Sequence, residues 1–372
     1  MVKYKFNDIA INSTLKKKPI EDDKYHYIGL EHLDSGSLQV TRYGSEIAPK
    51  GEKLVMKKGD VLFGKRRAYQ KKVGIAPFDG IFSAHGMVLR PKEDVVDKDF
   101  FPLFINSDYF LDDAIKISVG SLSPTINWGD LKELEFELPG LEEQRKLAKI
   151  LWAAEETKQT YKKLLQKTDD LVKAKFEEML NSNSYDVIKL DDIALSWHKG
   201  QPFKKTEISS DGYNLCIHYG ELFTNYGINI NKVFSHTNSS IKFSSKKGDI
   251  LFPASDVTPN GLARCSALML DNVLLGGDII VMRPEINVNN PIYLSYAINH
   301  QKEQLLSRVT GSLVRHMSMQ SLKTITISVP KLAIQNEFVN FAQQAEQSKQ
   351  QLQKSLDSLN ATMRALINEN LK

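Results

Sequence analysis

The segment LKELEFELPGLEEQ, residues 131–144, has a near copy in LKTITISVPKLAIQ, residues 322–335. In both copies apolar and polar residues alternate up to a proline, which is the pattern of a half-buried strand that ends there. Residues 141–180 and 332–372 contain neither proline nor glycine. Each strand is therefore predicted to lead into a long helix.

The match between the two halves of the chain extends upstream of this junction. KGDVLF of residues 58–63 corresponds to KGDILF of residues 247–252, and GSL of residues 120–122 corresponds to GSL of residues 311–313. A repeat of about 190 residues is too long for a solenoid unit and indicates a duplicated domain. We expect an α+β fold with two strand-rich globular domains, each followed by a helix; the four segments are residues 1–140, 141–180, 181–331 and 332–372.

The apolar residues of both helical segments recur at alternating spacings of three and four, the repeat of a coiled-coil seam. A helix of about 40 residues is a rod near 60 Å long, so we expect the helices to pair with each other. Packing of each helix on its own globular domain is the alternative. The segment AAEET at residues 153–157 could also hide a bend in the first helix. The predicted seam contains Leu147, Leu151, Tyr161, Leu165, Val172 and Met179 in the first helix and Phe338, Leu352, Leu359 and Leu366 in the second, where Ser355 and Thr362 share the same repeat.

Composition excludes several classes of protein. The 372 residues are 41% hydrophobic and 25% charged, as in an ordinary globular protein. No stretch resembles a membrane-spanning helix or a secretory signal, and two cysteines are too few for a disulfide framework or a four-ligand zinc site. We therefore expect a cytoplasmic protein without membrane contact. The net charge of +4 is mildly basic, so a nucleic-acid partner would require locally concentrated cations.

The junction PGLEEQRKLAKIL, residues 139–151, resembles the strand-to-helix junction in the specificity subunits of type I restriction–modification enzymes. The second junction is a weaker form, because Ile334 and Asn336 stand where an acidic and a basic residue are commoner. YGEL at residues 219–222, the two KGD segments and the two GSL segments also resemble this family. The resemblance covers the whole chain and rests on the motifs, their order and the duplication together.

This resemblance implies a DNA-binding subunit that catalyses nothing itself. Two α/β target-recognition domains each read one part of a split double-stranded DNA sequence. The helices form an antiparallel, pseudo-twofold coiled coil that holds the domains apart and docks two methylation subunits. Those subunits carry S-adenosylmethionine and methylate adenine at N6, and restriction subunits with ATP and Mg²⁺ join the full complex. The expected setting is defence against foreign DNA in a bacterial or archaeal cytoplasm.

The apparent catalytic motifs each lack a required residue or spacing. No catalytic, cofactor-binding or metal-binding residue is therefore predicted in this chain. GDVLFGKR at residues 59–66 nearly matches a phosphate-binding loop, but Arg66 stands where the Mg²⁺-binding hydroxyl belongs. No Asp/Asn-Pro-Pro-aromatic run of an adenine methyltransferase is present. His26 and His32 lack the spacing of a helical zinc motif. Asp60 and Asp249 follow glycines at strand starts and are predicted to cap turns.

The strongest signal for DNA contact is GKRRAYQKKVG, residues 64–74, which carries five cations between two glycines. Arginine suits guanine in a bidentate contact, glutamine suits adenine, and lysine suits phosphates. The alternative is a solvated surface loop. The residues predicted to contact DNA here are Lys65, Arg66, Arg67, Tyr69, Gln70, Lys71 and Lys72.

The equivalent loop of the second half, residues 253–264, is quite different, with one cation and several short polar residues. Its aspartate could accept a hydrogen bond from cytosine N4. Different loops on duplicated scaffolds are what two domains reading different half-sites would carry. The residues predicted to contact DNA in this loop are Ser255, Asp256, Thr258, Asn260 and Arg264. Residues in and near the two GSL segments are second-rank candidates, and the alternative is that they form ordinary turns. They are Ser121, Ser123, Thr125, Arg308, Ser312, Arg315 and His316.

Two functions of other classes remain as alternatives. A self-sufficient DNA methyltransferase or nuclease would require a cofactor or metal motif that the sequence lacks. An interaction scaffold unrelated to DNA would join two protein-binding modules through the coiled coil. Steep salt dependence of duplex binding would argue against that scaffold, because it reports phosphate contacts.

Overall fold

A computed structural model describes residues 1–182, 184–239 and 243–371. The chain forms two compact units. Unit 1 consists of residues 1–164 together with the C-terminal segment from Leu352 onward, and unit 2 consists of residues 165–351. Both long helices contribute to each unit.

The elements of the two halves follow one another in a similar order. The first half contains β1 (Val2–Lys5), α1 (Phe6–Ile9), β2 (Ala10–Ser13), β3 (Lys16–Lys17), β4 (Tyr27–Ile28), β5 (Lys53–Met56), β6 (Val61–Phe63), β7 (Val73–Ile75), β8 (Gly80–Phe82), β9 (Met87–Pro91), α2 (Phe101–Ile105), α3 (Asp108–Lys116), α4 (Trp128–Leu131), β10 (Glu135–Leu138) and α5 (Leu141–Asn181). The second half contains β11 (Val187–Lys189), α6 (Leu190–Ile193), β12 (Ala194–Lys199), β13 (Ile208–Ser209), β14 (Asn214–Ile217), α7 (Glu221–Thr224), β15 (Asn229–Ile230), β16 (Ser235–Thr237), β17 (Asp249–Pro253), β18 (Ser255–Asp256), α8 (Pro259–Leu262), β19 (Ser266–Leu268), β20 (Leu274–Leu275), β21 (Ile279–Pro284), α9 (Pro291–His300), α10 (Lys302–Ser307), β22 (Arg315–His316), α11 (Met319–Lys323), β23 (Thr326–Ser328) and α12 (Leu332–Asn370).

The sheets carry the signature of the duplication. The first half contains a sheet of order β2-β9-β6-β7, and the second half repeats this order as β12-β21-β17-β19 with β15 added at the edge. A second sheet in each half contains one parallel pair, β4 with β8 and β14 with β20. The predicted duplicated α+β architecture is confirmed.

The predicted junction strands exist but are shorter than the alternating pattern suggests. β10 pairs with β1 and β23 pairs with β11, both antiparallel. Leu131 and Leu322, which the pattern assigned to the strands, lie instead in the short helices α4 and α11 and are fully buried. The strand prediction was wrong at these residues, because a buried leucine every third or fourth residue also fits a helical turn.

Each long helix packs against the core of both units. Leu147 and Leu151 of α5 belong to the core of unit 1, whose centre is a cluster of phenylalanine rings around Phe6 and Phe136. Val172 of α5 and Phe338 of α12 belong to the core of unit 2. Packing on the globular part, which was the alternative to helix pairing, is therefore real.

The helices also pair with each other, and they run antiparallel. In unit 1, Lys162 of α5 lines one cavity together with Asp357 of α12. In unit 2, Asp169 of α5 forms an ion pair with Lys349 of α12, with 2.6 Å between Asp169 Oδ1 and Lys349 Nζ. Residue numbers thus rise along one helix as they fall along the other. The helix α5 is continuous through residues 153–157, where the sequence allows a bend.

The predicted seam of α12 needs one correction. Ser355 and Thr362 are exposed, whereas Leu356 is buried and Met363 packs on the core of unit 1. A strict heptad drifts around a straight helix of 3.6 residues per turn, so the neighbouring apolar residue takes the inward position. Of the predicted seam residues, Leu147, Leu151, Val172 and Phe338 are buried, and Tyr161, Leu165, Met179, Leu352, Leu359 and Leu366 are half-buried.

Candidate nucleic-acid interface

The basic loop of the first half, residues 64–72, joins β6 to β7 in an ordered conformation. A single 3-10 turn spans Ala68–Gln70 and is flanked by Arg67 and Lys71, whose φ angles are 54° and 48°. A left-handed backbone at non-glycine residues is unfavourable, so tertiary contacts must hold it. Ala68 supplies one such contact, because its side chain is buried in the core of unit 1.

Backbone hydrogen bonds join this loop to the GSL segment of the same half. The Ala68 N–H donates to the Pro124 carbonyl at 3.2 Å, and the Ile126 N–H donates to the Lys65 carbonyl at 2.9 Å. Arg66 and Thr125 form an antiparallel bridge. The structure therefore brings together two groups of predicted contact residues, with Ser121 exposed and Ser123 and Thr125 half-buried.

Two of the five predicted cations are already used within the fold. Lys71 Nζ lies 2.7 Å from a carboxylate oxygen of both Asp108 and Asp112. Burial opposes the Lys71 charge, but these two carboxylates outweigh burial and raise its pKa. Lys72 Nζ donates to the Leu30 carbonyl at 2.6 Å. Both lysines therefore help to hold the loop.

The other three cations, Lys65, Arg66 and Arg67, form no ion pair with a carboxylate among the described residues. Arg66 and Arg67 are exposed, as is Tyr69, while Lys65 and Gln70 are half-buried. This cluster can attract an anion at little desolvation cost, because its charges are not neutralised within the protein.

His85 belongs to the same surface and was missed in the sequence. Its Nε2 lies 3.4 Å from Arg66 Nη1, and its carbonyl accepts the Arg66 N–H at 3.3 Å. Partial burial, followed by the charges of Arg66 and Lys65, lowers the His85 pKa. The lowered pKa favours the neutral ring, whose Nε2 can accept a hydrogen bond from Arg66. His85 lies in the turn between β8 and β9, next to the end of β6, and this proximity arises from strand pairing that the sequence alone does not reveal.

The second half repeats this juxtaposition with other side chains. Strand β18 pairs with β22, which sets Ser255 opposite His316 and Asp256 opposite Arg315. The Met317 N–H donates to the Ala254 carbonyl at 2.9 Å, at the position that the Ile126–Lys65 bond occupies in the first half. The loop after β17 and the segment after its GSL motif therefore share one surface.

Hydrogen bonds within the protein order several of these second-half side chains. Asp256 Oδ2 accepts the Thr258 hydroxyl at 2.7 Å, and Thr258 Oγ1 accepts the Gly261 N–H at 3.2 Å as the cap of α8. Arg315 Nη1 donates to the Gly311 carbonyl at 3.1 Å. The Arg315 Nε is buried and has no hydrogen-bond partner among the described residues. Asn260, Arg308, Ser312 and His316 are exposed.

Arg264 differs from the other predicted contacts. Its Nη2 donates to the Tyr226 carbonyl at 2.9 Å, and burial lowers its pKa. The guanidinium is thus part of the internal structure of unit 2. A single cation in a loop of short polar residues suggested surface exposure, but the fold uses it to hold the Tyr226 backbone.

The apparent catalytic groups have structural roles. Asp60 accepts the Lys57 N–H at 2.7 Å and Asp249 accepts the Lys246 N–H at 2.8 Å, so both cap turns as predicted. Within residues 1–182, 184–239 and 243–371, no group of three or more His, Cys, Asp or Glu side chains could hold a metal ion. Nor does any helix there have the length and apolar character needed to cross a membrane.

Comparison with known proteins now identifies the class to which this scaffold belongs. The family described as the type I restriction modification DNA specificity domain matches residues 1–167 and 183–359, one match for each half of the duplication. The chain belongs to this family. It is thus a DNA specificity subunit of the type I restriction–modification class, a recognition component and not itself the catalyst.

Individual relatives agree at lower similarity. A stretch of 147 residues is 26% identical to the type I restriction enzyme EcoDI specificity subunit of Escherichia coli, and it covers 39% of this chain and about a third (32%) of that protein. The specificity subunit of M. genitalium has a similar fold, with a TM-score of 0.60 at 15% identity over 100% of this chain and 96% of that one. A chain from a structure on complex assembly and conformational transition of the type I system has a TM-score of 0.62 at 16% identity, over 99% and 97% of the chains.

Proposed function

We propose that the two halves of this subunit read the two parts of a split duplex DNA target. The observation that carries this proposal is the combination of one repeated scaffold with two dissimilar contact surfaces. In both halves the loop after the KGD strand pairs with the segment around the GSL motif. Cations dominate the first surface, and hydroxyls and an aspartate mark the second.

In the first half, Arg66 and Arg67 approach guanine edges, with His85 orienting Arg66. The exposed guanidinium groups can form the bidentate contact with O6 and N7 that distinguishes guanine in the major groove. Gln70 suits adenine and Tyr69 offers an exposed ring, while Lys65 contacts phosphate. Lys71 and Lys72 support this loop from within the fold and contribute less to DNA affinity than their charge suggests.

In the second half, Asp256 accepts a hydrogen bond from cytosine N4, with Ser255, Thr258 and Asn260 as further polar contacts. Ser312, Arg315 and His316 approach from the GSL side of this surface, and Arg308 adds phosphate contact. The role of Arg264 is indirect, since it holds the Tyr226 backbone.

The helices α5 and α12 set the spacing of the half-sites and dock two methylation subunits. Ile150 and Leu171 of α5, which the seam leaves 55% exposed, are available to such partners. The methylation subunits supply S-adenosylmethionine and flip the target adenine out of the duplex. Restriction subunits with ATP and Mg²⁺ complete the complex in the cytoplasm. Residues 1–140 and 181–331 serve as recognition domains, with residues 141–180 and 332–372 as spacers.

The test is to express this chain with its cognate methylation subunit and to map adenine methylation by single-molecule sequencing. A new motif with two short defined parts around an unspecified gap is expected. Co-purification of the two chains without any motif would leave the docking helices intact but refute DNA readout by the globular halves. If no motif appears and the two chains do not co-purify, the interaction scaffold unrelated to DNA would be favoured.

A further inference from the structure

Two leucines stand out because they are almost completely exposed at equivalent positions of the duplication. Leu122 is 92% exposed and Leu313 is 87% exposed, and each is the third residue of a GSL segment. Single exposed apolar residues are common on protein surfaces. The same residue left bare at the same position of two domains calls for a shared function.

Both leucines lie at the apex of a closed loop. Val119 and Thr125 exchange two backbone hydrogen bonds, at 3.0 and 2.9 Å, and close a loop whose central residue is Leu122. Thr310 and His316 likewise exchange bonds of 3.0 and 2.8 Å around Leu313. The turn in each loop uses a glycine with positive φ, 111° at Gly120 and 93° at Gly311. The fold therefore builds the same projecting leucine twice.

The surroundings of these loops suit a polyanion. The base of the first loop is bonded to the segment that carries Lys65 and Arg66. The second loop contains Arg315 and follows the exposed Arg308. The exposed apolar neighbours in these loops are Val119 at the base of the first and Val314 beside Leu313, and a glycine and a serine precede each leucine. Each tip is thus narrower than the apolar patch in which an anchor for a protein partner normally sits. An apolar tip on a cationic support is typical of side chains that enter a DNA groove and wedge between base steps.

The identity of the two leucines also separates their role from sequence reading. The neighbouring contact loops differ between the halves, as expected for different half-sites, but the apex residue does not. We propose that Leu122 and Leu313 are apolar wedges, one per domain, that insert at a base step of their own half-site and loosen the stacking there. This inference rests on the proposed DNA readout and adds a mechanical step to it, which would ease extrusion of the adenine by the methylation subunit.

The experiment uses the complete methylation complex with the wild-type chain and with Leu122→Ala, Leu313→Ala or Leu122→Met. Duplexes carry 2-aminopurine next to the target adenine of one or the other half-site, and its fluorescence rises on unstacking. Leu15→Ala provides a matched control, since Leu15 is 64% exposed and lies outside both loops. None of these changes removes a core contact, so unfolding midpoints should match the wild type.

Leu122→Ala should abolish the fluorescence rise at the first half-site and slow methylation there roughly tenfold or more, as expected when burial of one leucine is lost. The second half-site should keep its signal, and Leu313→Ala should give the mirror result. Leu122→Met should retain most of the effect, because methionine is also an apolar wedge. The recognised motif should stay the same in every variant.

Three outcomes would overturn the wedge. Equal fluorescence in wild type, Leu122→Ala and Leu313→Ala would refute it while leaving DNA readout intact. Loss of methylation subunits from the variant complexes, seen by native mass spectrometry, would assign the leucines to protein docking instead. A wild-type complex that binds no split target would refute the proposed function and the wedge together.

Discussion

Arg283 donates two hydrogen bonds, from Nε and Nη2, to the two carboxylate oxygens of Asp249, both at 2.8 Å. Arg90 and Asp60 form the same bidentate pair in the first half, at 2.7 and 2.8 Å. Each aspartate also caps the turn before its strand, so one side chain ties the turn to the neighbouring strand. Arg90 and Arg283 are each followed by a proline, at equivalent positions of the two halves. The double role of the aspartate explains in physical terms why these Arg-Pro segments and the KGD segments recur together.

Asp249→Ala should strongly destabilise the protein. Asp249 is 1% exposed, and its loss leaves the Arg283 guanidinium partly buried without its partner. Breaking such a pair costs about 3–5 kcal/mol of unfolding free energy. Asp60→Ala should cost less, because the Arg90 side chain is 40% exposed and can be hydrated. Urea unfolding of both variants measures the difference, and Glu135→Ala, which breaks an exposed pair with Lys3, should leave the midpoint nearly unchanged. Equal losses for Asp249→Ala and Asp60→Ala would contradict this ranking.

Gln144→Leu should destabilise the strand-to-helix junction of the first half. The buried Gln144 amide donates to the carbonyls of Pro139 and Val95 at 2.8 and 3.1 Å and accepts the Asp97 N–H at 2.8 Å. Leucine has a similar size but leaves these backbone groups unpaired, at roughly 1–3 kcal/mol for each buried group. The exposed Gln166→Leu is the matched control in the same helix. A midpoint within error of the wild type would show that water replaces the amide.

The glutamine of the junction shows how much of the fold a sequence can predict. Periodic apolar residues identified the junction strands and both helices, because periodicity reports directly which face is buried. The same alignment marked Gln144 and Gln335 as equivalent. Gln335 indeed donates to the Pro330 carbonyl at 2.7 Å and accepts the Asn290 N–H at 2.8 Å. Its partner could not be predicted, since Asn290 lies in a segment 45 residues away.

The candidate site was predicted less completely for the same reason. Composition identified the basic loop, and the duplication indicated that its counterpart differs. Whether a given cation is available depends on contacts distant in sequence. Lys71 is neutralised by Asp108 and Asp112, 37 and 41 residues away, and Arg264 is held by the Tyr226 carbonyl, 38 residues away. Local composition carries no information on such pairs.

Arg66→Ala should relax recognition at one base pair of one half-site, because a bidentate contact with guanine contributes roughly 1–3 kcal/mol of discrimination. Arg66→Lys keeps the charge but loses the planar geometry, so it should keep the salt dependence of binding and lose the base preference. Lys71→Met is the contrasting change. Because the Lys71 charge is already paired with Asp108 and Asp112, this variant should keep the base preference of the wild type. Methylation mapping of the three variants compares their base preference, and duplex binding at several salt concentrations compares their salt dependence. A motif altered equally at both half-sites by Arg66→Ala would contradict the assignment to one domain.

Both cysteines should be inert in the native protein. Burial, with a smaller contribution from Glu221, raises the pKa of the Cys216 thiol to about 11, and burial also raises the pKa of Cys265. The thiolate is the reactive form, so iodoacetamide at pH 8 should label neither residue until urea is added. Because an unfolded thiol has a pKa near 8.5, this contribution to stability is complete below that pH and is lost as the pH rises toward 11. Mass spectrometry of labelled peptides checks that both cysteines resist iodoacetamide in the native protein. Rapid labelling of Cys216 before urea is added would disprove this prediction.

Lengthening both long helices together should lengthen the unspecified gap of the DNA target. Seven residues inserted after Leu164 in α5 and after Gln351 in α12 preserve the heptad phase of the pair. At 1.5 Å per residue they add about 10 Å, which corresponds to about three base pairs of a duplex with some ten base pairs per 34 Å turn. Methylation should also slow, because the added base pairs rotate one half-site around the DNA axis. The same insertion in α5 alone is the control, and it should disrupt the pairing of the helices and abolish methylation. An unchanged gap in the doubly lengthened protein would mean that the helices do not set the spacing.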